Sequence, residues 1–251
     1  GPGGDVSEPA TGSRIDKTPS RIAGMFDAIA PRYDLLNRLL SAGFDGRWRA
    51  RAIRSLRLTG SETVLDLCTG TADVAIAAAT ASPPALRVIG IDFARQMLRL
   101  GLRKLLPRGL HTRIALVQGD AMCLPIGSAS VDAATVAFGI RNVEYPEQTF
   151  ADVLRVLKPG GRFAILEFGT PTLPVVRQAY LAYFRFVLPS VGRFISGHAS
   201  AYAYLPASVG AFPEPARLVA ALERAGFFRV TADSLTLGVV YLYSAQKPYS
   251  G

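Results

Sequence analysis

The stretch TVLDLCTGTAD, residues 63–73, decides the fold: an apolar, β-rich run carries an acid near its end and passes into a turn of small residues. A strand that runs into such a turn and then a helix lets backbone N–H groups come close to a ligand. Working outward, similar runs recur as RVIGID (87–92), RIALVQ (113–118), VDAATV (131–136) and GRFAILEF (161–168), with helical stretches alternating. TFADVLRVL (149–157) puts Phe150, Val153, Leu154 and Leu157 on one helix face, and Lys158-Pro-Gly-Gly stops that helix. A further helix spans 215–225, Gly226 ends it, and strands follow near 227–232 and 238–245. This alternation predicts an α/β fold: a mostly parallel seven-stranded sheet with helices on both faces.

Two segments fall outside the rhythm. Residues 20–58 read as two or three helices, an N-terminal cap whose last helix concentrates Arg47, Arg49, Arg51, Arg54 and Arg57. Residues 170–210 form a long insertion after strand five, apolar and aromatic, broken by Pro171, Pro174, Pro189 and Pro206. Ligands of open α/β sheets bind at the C-terminal strand ends, and both segments are placed to fold over that edge. The opening GPGG resembles a cloning scar, and residues 1–19 are expected to be disordered. Residues 20–251 are then a single domain, since 251 residues suit one large α/β unit better than two.

Composition narrows the classes. Residues are 49% hydrophobic and 19% charged, as in an ordinary folded protein. Two cysteines, Cys68 and Cys123, make no disulfide framework, and with two histidines no metal centre is expected. No run approaches the roughly 18–20 apolar residues of a membrane-spanning helix. With no N-terminal signal pattern, the expectation is a cytoplasmic protein, peripheral to a membrane at most. The net charge of +9 admits nucleic acid, an anionic membrane surface, or an Arg-rich composition without a partner. No NPPY-like tetrapeptide and no Pro-Cys nucleophile is present, so nucleic acid is not the expected partner.

The cofactor follows from spacing. Asp66 and Gly70 lie in the first strand and its turn, Asp92 ends the second strand, and Asp120-Ala121 follows the third. An acid at the second tip accepts hydrogen bonds from ribose hydroxyls, and one past the third meets an adenine amino group. The strand-end acids have a blander role too, as helix caps. The GxGxxG turn of dinucleotide sites and the P-loop are both absent, so no pyrophosphate cradle exists. A nucleoside without a diphosphate fits, which points to S-adenosylmethionine.

Several stretches are more specific. MFDAIAPRYDLLNRLLSAGFDGRWR (25–49), VLDLCTGTAD (64–73), FGIRNV (138–143), VLKPGGRFAILEFGTP (156–171), LPSVGRFISG (188–197) and YAYLPASVGAFP (202–213) resemble signatures of a known family. It is that of the quinone C-methyltransferases of ubiquinone and menaquinone biosynthesis, the UbiE/MenG/COQ5 group, and the likeness runs from about Arg21 to Lys247. The resemblance implies a Rossmann-like class I methyltransferase that moves a methyl group from S-adenosylmethionine to a ring carbon of a polyprenylated quinol. Demethylmenaquinol is the first expectation for the acceptor and a ubiquinone precursor the next. By the same resemblance Thr71, Asp92, Asp120 and Ala121 contact the cofactor. The chain departs from the family at Ala137, where members commonly have serine, and at Ala72-Asp73, where they have Gly-Asp.

The resemblance also implicates Arg141, Asn142 and Tyr33 in catalysis. A cation and an amide after the fourth strand suit a developing phenolate, or a water that removes its proton. The blander alternatives are an Arg141 ion pair to Asp34 that holds the cap, a turn role for Asn142 and a packing role for Tyr33. His198 is a candidate general base or an exposed loop residue; His111 is expected at the surface, and Cys68 and Cys123 to line or back the cofactor pocket. The insertion suits an isoprenoid tail and peripheral membrane contact, or a lid or dimer interface; the resemblance suggests a homodimer. Two other functions stay open on sequence: a small-molecule methyltransferase of secondary metabolism, and a non-catalytic partner that keeps the fold.

Overall fold

The structure is a computed structural model that describes residues 15–187, Ser190 and 199–249. Seven strands form its sheet: β1 (Thr63–Leu67), β2 (Arg87–Asp92), β3 (Ile114–Gln118), β4 (Val131–Ala137), β5 (Leu157–Phe168), β6 (Phe228–Leu235) and β7 (Val240–Gln246). Their order is β3-β2-β1-β4-β5-β7-β6, with β1 to β5 parallel and β7 antiparallel to both neighbours. The order reverses at β1 and β4, which opens a crevice at their carboxyl ends.

Strand periodicity explains why both faces are covered. Leu65 and Leu67 pack with Phe150 and Val153 of α6 (Pro146–Val156) and with Leu218 and Leu222 of α9 (Pro215–Ala225). Val64 points to the opposite face, toward Ala75 and Ala78 of α4 (Asp73–Ala79) and Leu105 of α5 (Arg95–Leu105). A strand buried on both sides reads as a continuous apolar run, as β1 and β4 do. Phe150 is wholly buried, and a burial of that kind contributes about 1.5–3 kcal/mol.

The expected strands and helices lie where periodicity placed them, and the largest shift of boundary is at β5. Lys158-Pro-Gly-Gly, read as a helix stop, is drawn into the start of β5, because Leu157 already pairs with Val131. Gly161 is required there: a Cβ would stand 2.8 Å from the Lys158 carbonyl oxygen.

The cap consists of α1 (Pro19–Ile29), a 3-10 turn (Ala30–Arg32), α2 (Tyr33–Leu40) and α3 (Asp45–Ser55). In α3, Trp48, Ala52 and Ile53 face the sheet, while Arg47, Arg51 and Arg54 face solvent; the arginine run is a solvated face. Several ties hold the cap. Asp27 accepts the Gln96 N–H (2.8 Å), Asp34 pairs with Lys104 (2.7 Å), and the Trp48 indole donates to Thr236 Oγ1 (2.8 Å). Residues 15–18, expected in the disordered tail, are part of this arrangement: Asp16 accepts the Thr18 N–H (2.9 Å) just ahead of α1.

The insertion after β5 holds α7 (Pro174–Ala182), which continues as one π-helical turn (Tyr183–Val187), and α8 (Ala199–Gly210). His198 and most of the LPSVGRFISG stretch lie outside the described residues.

Candidate active site

The turn after β1 is tight although it holds one glycine. Cys68, Gly70 and Ala72 have φ of 51°, 57° and 69°, and Phe138 after β4 has 56°. Non-glycine residues seldom take this left-handed conformation, and such outliers cluster where a chain must meet a ligand. The turn therefore keeps its shape without the missing glycines. Its anchor is Asp92 at the tip of β2, which accepts the Gly70 N–H on Oδ2 and the Ala94 N–H on Oδ1, both at 2.8 Å. Burial raises the Asp92 pKa, and these two donors pull it back down.

Beside the turn lies a cavity lined among others by Gly70, Asp92, Met97, Ala121, Ala137 and Asn142. A second cavity adjoins it beneath the cap, with Trp48, Arg141, Phe168 and Tyr204 in its wall. Phe26, Tyr33 and Phe138 line both and form the partition. A third recess shares Trp48, Phe168 and Leu205 with the second and runs out to Tyr180, Tyr183 and Phe184 of the insertion.

The second cavity has an aromatic wall and two arginines, Arg49, which pairs with Asp45 (2.7 Å), and Arg141. Phe138 and Phe168 pack at 4.6 Å between ring centroids, and Trp48 sits 6.0 Å and 6.4 Å from them. The Arg141 guanidinium stacks over the Phe168 ring, its carbon 5.4 Å from the centroid. Glu167, fully buried at the end of β5, takes Arg141 Nη1 at 2.8 Å, the Arg141 backbone N–H at 3.2 Å and the Phe168 N–H at 2.9 Å. Arg141 Nη1 also donates to the Phe138 carbonyl (2.7 Å), while its buried Nε has no hydrogen-bond partner among the described residues. Burial raises the Tyr33 pKa, and a hydrogen bond with Asn37 works against that rise. Tyr204 of α8 donates to Asn142 Oδ1 (3.0 Å), joining the insertion to the turn after β4.

The structure sorts the sequence-predicted residues. Gly70, Asp92 and Ala121 line the first cavity, Asn142 does too, Arg141 lines the second, and Tyr33 lies between them. Asp66 is different: it is buried under the turn, bonded to Thr69, and burial pushes its pKa up to about 7, with the Asp92 charge adding to the rise. Thr71 gives its hydroxyl to Asp34 and receives Lys104 Nζ (2.8 Å), so its side chain ties cap to turn. Asp120 turns its carboxyl back to the Met122 N–H (2.7 Å), and its neighbours Gly119 and Ala121 supply the lining there.

The ion pair considered between Arg141 and Asp34 does not form. Asp34 is held by Lys104, which also bonds Asp73 at 2.6 Å, and Arg141 belongs to Glu167. Cys68 lines the first cavity, whereas Cys123 is exposed, because a bridge to Asp120 turns that loop outward. His111 lies exposed in a 3-10 turn.

Sequence reasoning missed Glu167, Trp48, Phe168, Tyr204 and Lys17. One signal existed for Glu167: an acid inside the apolar strand FAILEF has to be paired when buried. Lys17, just ahead of α1, lines the first cavity, and burial lowers its pKa.

A mostly parallel seven-stranded sheet with β7 antiparallel, a capped crevice at its switch point and an acid at the tip of β2 define a Rossmann-like methyltransferase. Solved structures agree on the fold. The chain resembles the [4+2]-cyclase SpnF with a TM-score of 0.70 at 18% identity, over 93% of this chain and 98% of that one. It resembles the phosphoethanolamine N-methyltransferase 2 of Haemonchus contortus, solved in complex with S-adenosyl-L-methionine, with a TM-score of 0.63 at 16% identity, over 94% and 61% of the two chains. The model of the ubiE/COQ5 methyltransferase family matches residues 14–247. The chain is 48% identical to the ubiquinone/menaquinone biosynthesis C-methyltransferase UbiE of Syntrophotalea carbinolica, over 90% of this chain and 94% of that protein. It is 45% identical to the demethylmenaquinone methyltransferase of Thermus thermophilus, over 89% of this chain and 100% of that protein. The chain belongs to the ubiE/COQ5 methyltransferase family.

Proposed function

We propose that this methyltransferase carries a methyl group from S-adenosylmethionine to a ring carbon of a polyprenylated quinol, with demethylmenaquinol as first acceptor and a ubiquinone precursor next. The observation that carries the reading is the pair of cavities meeting at Tyr33 and Phe138, one built for a nucleoside and the other for a flat ring. The names of the relatives point to the same acceptors.

The residues of the first cavity fit the cofactor. Asp92 keeps lone pairs for ribose hydroxyls, and Ala121 with Met97 offers an apolar seat for the base. Burial raises the Cys68 thiol pKa, and Asp92, Asp66, Glu167 and Asp120 all add to the rise, so this corner of the cavity is held negative. That field suits a sulfonium. S-adenosylmethionine, when bound, supplies an electrophilic methyl and leaves as a neutral thioether.

The acceptor ring lies against Phe138 and Phe168, with Trp48 closing the box. Forming the new C–C bond replaces a ring C–H, so one proton leaves for each methyl transferred. Arg141 faces the oxygen that carries the developing negative charge. Tyr33 and Asn142 orient the acceptor hydroxyl, or a water that accepts its proton. The cap and α8 exclude bulk water, and Tyr204 holds Asn142 in place.

The third recess, ringed by Tyr180, Tyr183 and Phe184, takes the first units of the isoprenoid tail. Beyond it the insertion exposes Val175 (79%) and Phe186 (63%), a surface fit for a peripheral contact with the bilayer. No helix among the described residues is long and apolar enough to cross a membrane.

The non-catalytic reading rests on the eroded glycine turn and on Ala137, and the left-handed φ kept at Cys68 and Ala72 weighs against the first of these grounds. The direct test incubates the protein with S-adenosylmethionine and demethylmenaquinone under reducing conditions, following both products by mass spectrometry. A product heavier by one methylene with equimolar S-adenosylhomocysteine is expected; no product with either demethylated quinol overturns the assignment.

A further inference from the structure

We infer that Glu167 is a positioning residue that both aims the Arg141 guanidinium and cancels its charge, so that a cationic methyl donor can sit beside it. The inference rests on the S-adenosylmethionine reading above.

The geometry comes first. Glu167 lies on β5 and Arg141 follows the adjacent parallel strand β4, 26 residues apart, and the Phe138 N–H bonds the Leu166 carbonyl (2.7 Å) just before them. One carboxylate grips both the main chain and the side chain of Arg141, while the Phe168 N–H fixes the carboxylate itself. The Phe168 ring beneath the guanidinium and the Phe138 carbonyl at its end complete the seat. A flexible arginine is thereby held to one orientation against the acceptor cavity before any ligand arrives.

The Arg141 and Glu167 side chains are 7% and 0% exposed, so little water screens either group. Alone, Arg141 would be a buried cation beside a cavity meant for a sulfonium, and Lys17 in the same cavity adds a second cation. Glu167 acts in that cavity too: with burial, Asp92 and Asp66 it raises the Cys68 thiol pKa, and it offsets part of the lowering that burial and Arg141 impose on Lys17. Arg141 can therefore serve a phenolate in the second cavity without repelling the donor in the first.

A purely structural ion pair predicts something else. It would hold the turn after β4 to β5, and its loss would weaken binding of S-adenosylmethionine and of neutral S-adenosylhomocysteine alike. The two ligands share every group except the methyl and its charge, so their affinity ratio isolates electrostatics from folding.

The experiment is calorimetric titration of both ligands into the wild-type chain, Glu167→Gln, Glu167→Asp and Arg141→Gln/Glu167→Gln. Glu167→Gln is expected to weaken S-adenosylmethionine about tenfold relative to S-adenosylhomocysteine. The double variant removes both charges and is expected to restore the wild-type ratio. Glu167→Asp keeps the charge but draws the carboxylate back by one methylene, so the ratio should hold while kcat falls about tenfold or more at unchanged acceptor KM. It serves as the test if Glu167→Gln does not fold. An unchanged ratio in folded Glu167→Gln, or a shifted ratio in Glu167→Asp, overturns the assignment to Glu167. Failure of the wild-type chain to bind either ligand overturns the functional reading itself.

Discussion

The two cavities are built in different ways. The first is made mainly at strand tips and the turns that follow them: Asp92 ends β2, Gly70 follows β1, Ala121 follows β3 and Ala137 ends β4. Each position is fixed by the local sequence and by the parallel register of the sheet. The second is assembled from parts distant in sequence: Trp48 of α3, Arg141 after β4, Phe168 of β5 and Tyr204 of α8. A sheet edge is a rigid frame for a ligand, and in the proposed division the cap and the insertion shape the acceptor side. The SpnF likeness makes the same point, since a cyclase has this architecture.

If the division is right, substitutions in the second cavity should damage turnover and leave cofactor affinity alone. Arg141→Gln is expected to lower kcat by about 10²–10³, the effect of removing one donor aimed at developing charge. Its S-adenosylhomocysteine Kd should stay within about twofold. Stability should fall by about 3 kcal/mol, because Glu167 is left buried without its partner. A loss of cofactor affinity as large as the loss of kcat would join the two cavities into one unit.

Asp66 probes the first cavity from below. Burial lifts its pKa from 3.8 to about 7, so folding takes up a proton there. Its contribution to stability is fully present below about pH 3.8 and is lost as pH rises through 7. Asp66→Asn should therefore melt higher than wild type at pH 8, with the gap closing toward pH 4. A variant that melts lower at pH 8 would mean that the carboxylate is needed in its charged form.

Lys104 joins the two regions, because it bonds Asp34 of the cap and Thr71 and Asp73 of the cofactor turn. Lys104→Met is expected to raise both the S-adenosylhomocysteine Kd and the acceptor KM about three- to fivefold, the scale of a partly exposed network. A change in one alone would detach the cap from the turn. The smallest effect belongs to Tyr204→Phe, which removes a single hydrogen bond to Asn142 and should lower kcat about threefold with cofactor affinity intact.

The same division decides what is legible in the sequence. Strand-tip residues can be read because periodicity places the tips, and Asp92 stands where that reading puts it. Asp66 departs from it because a position within a strand alternates faces, and its carboxyl falls beneath the turn, bonded to Thr69, instead of in the crevice. The side chains of Thr71 and Asp120, residues expected on the cofactor, bond Asp34 and the Met122 N–H. Arg141 is legible but its partner is not. The pairing with Glu167 emerges only once β4 and β5 are set side by side, with Ala137 against Leu166. Nothing along the chain groups Trp48, Phe168 and Tyr204, which become one wall only through tertiary packing.

The most direct measurement is calorimetric titration of S-adenosylhomocysteine into the wild-type chain and into Asp92→Ala. Binding to the wild type that Asp92→Ala abolishes, with both proteins folded by circular dichroism, is the expected result. No binding to the wild type, or equal binding to both, would contradict the assignment of the first cavity to the cofactor.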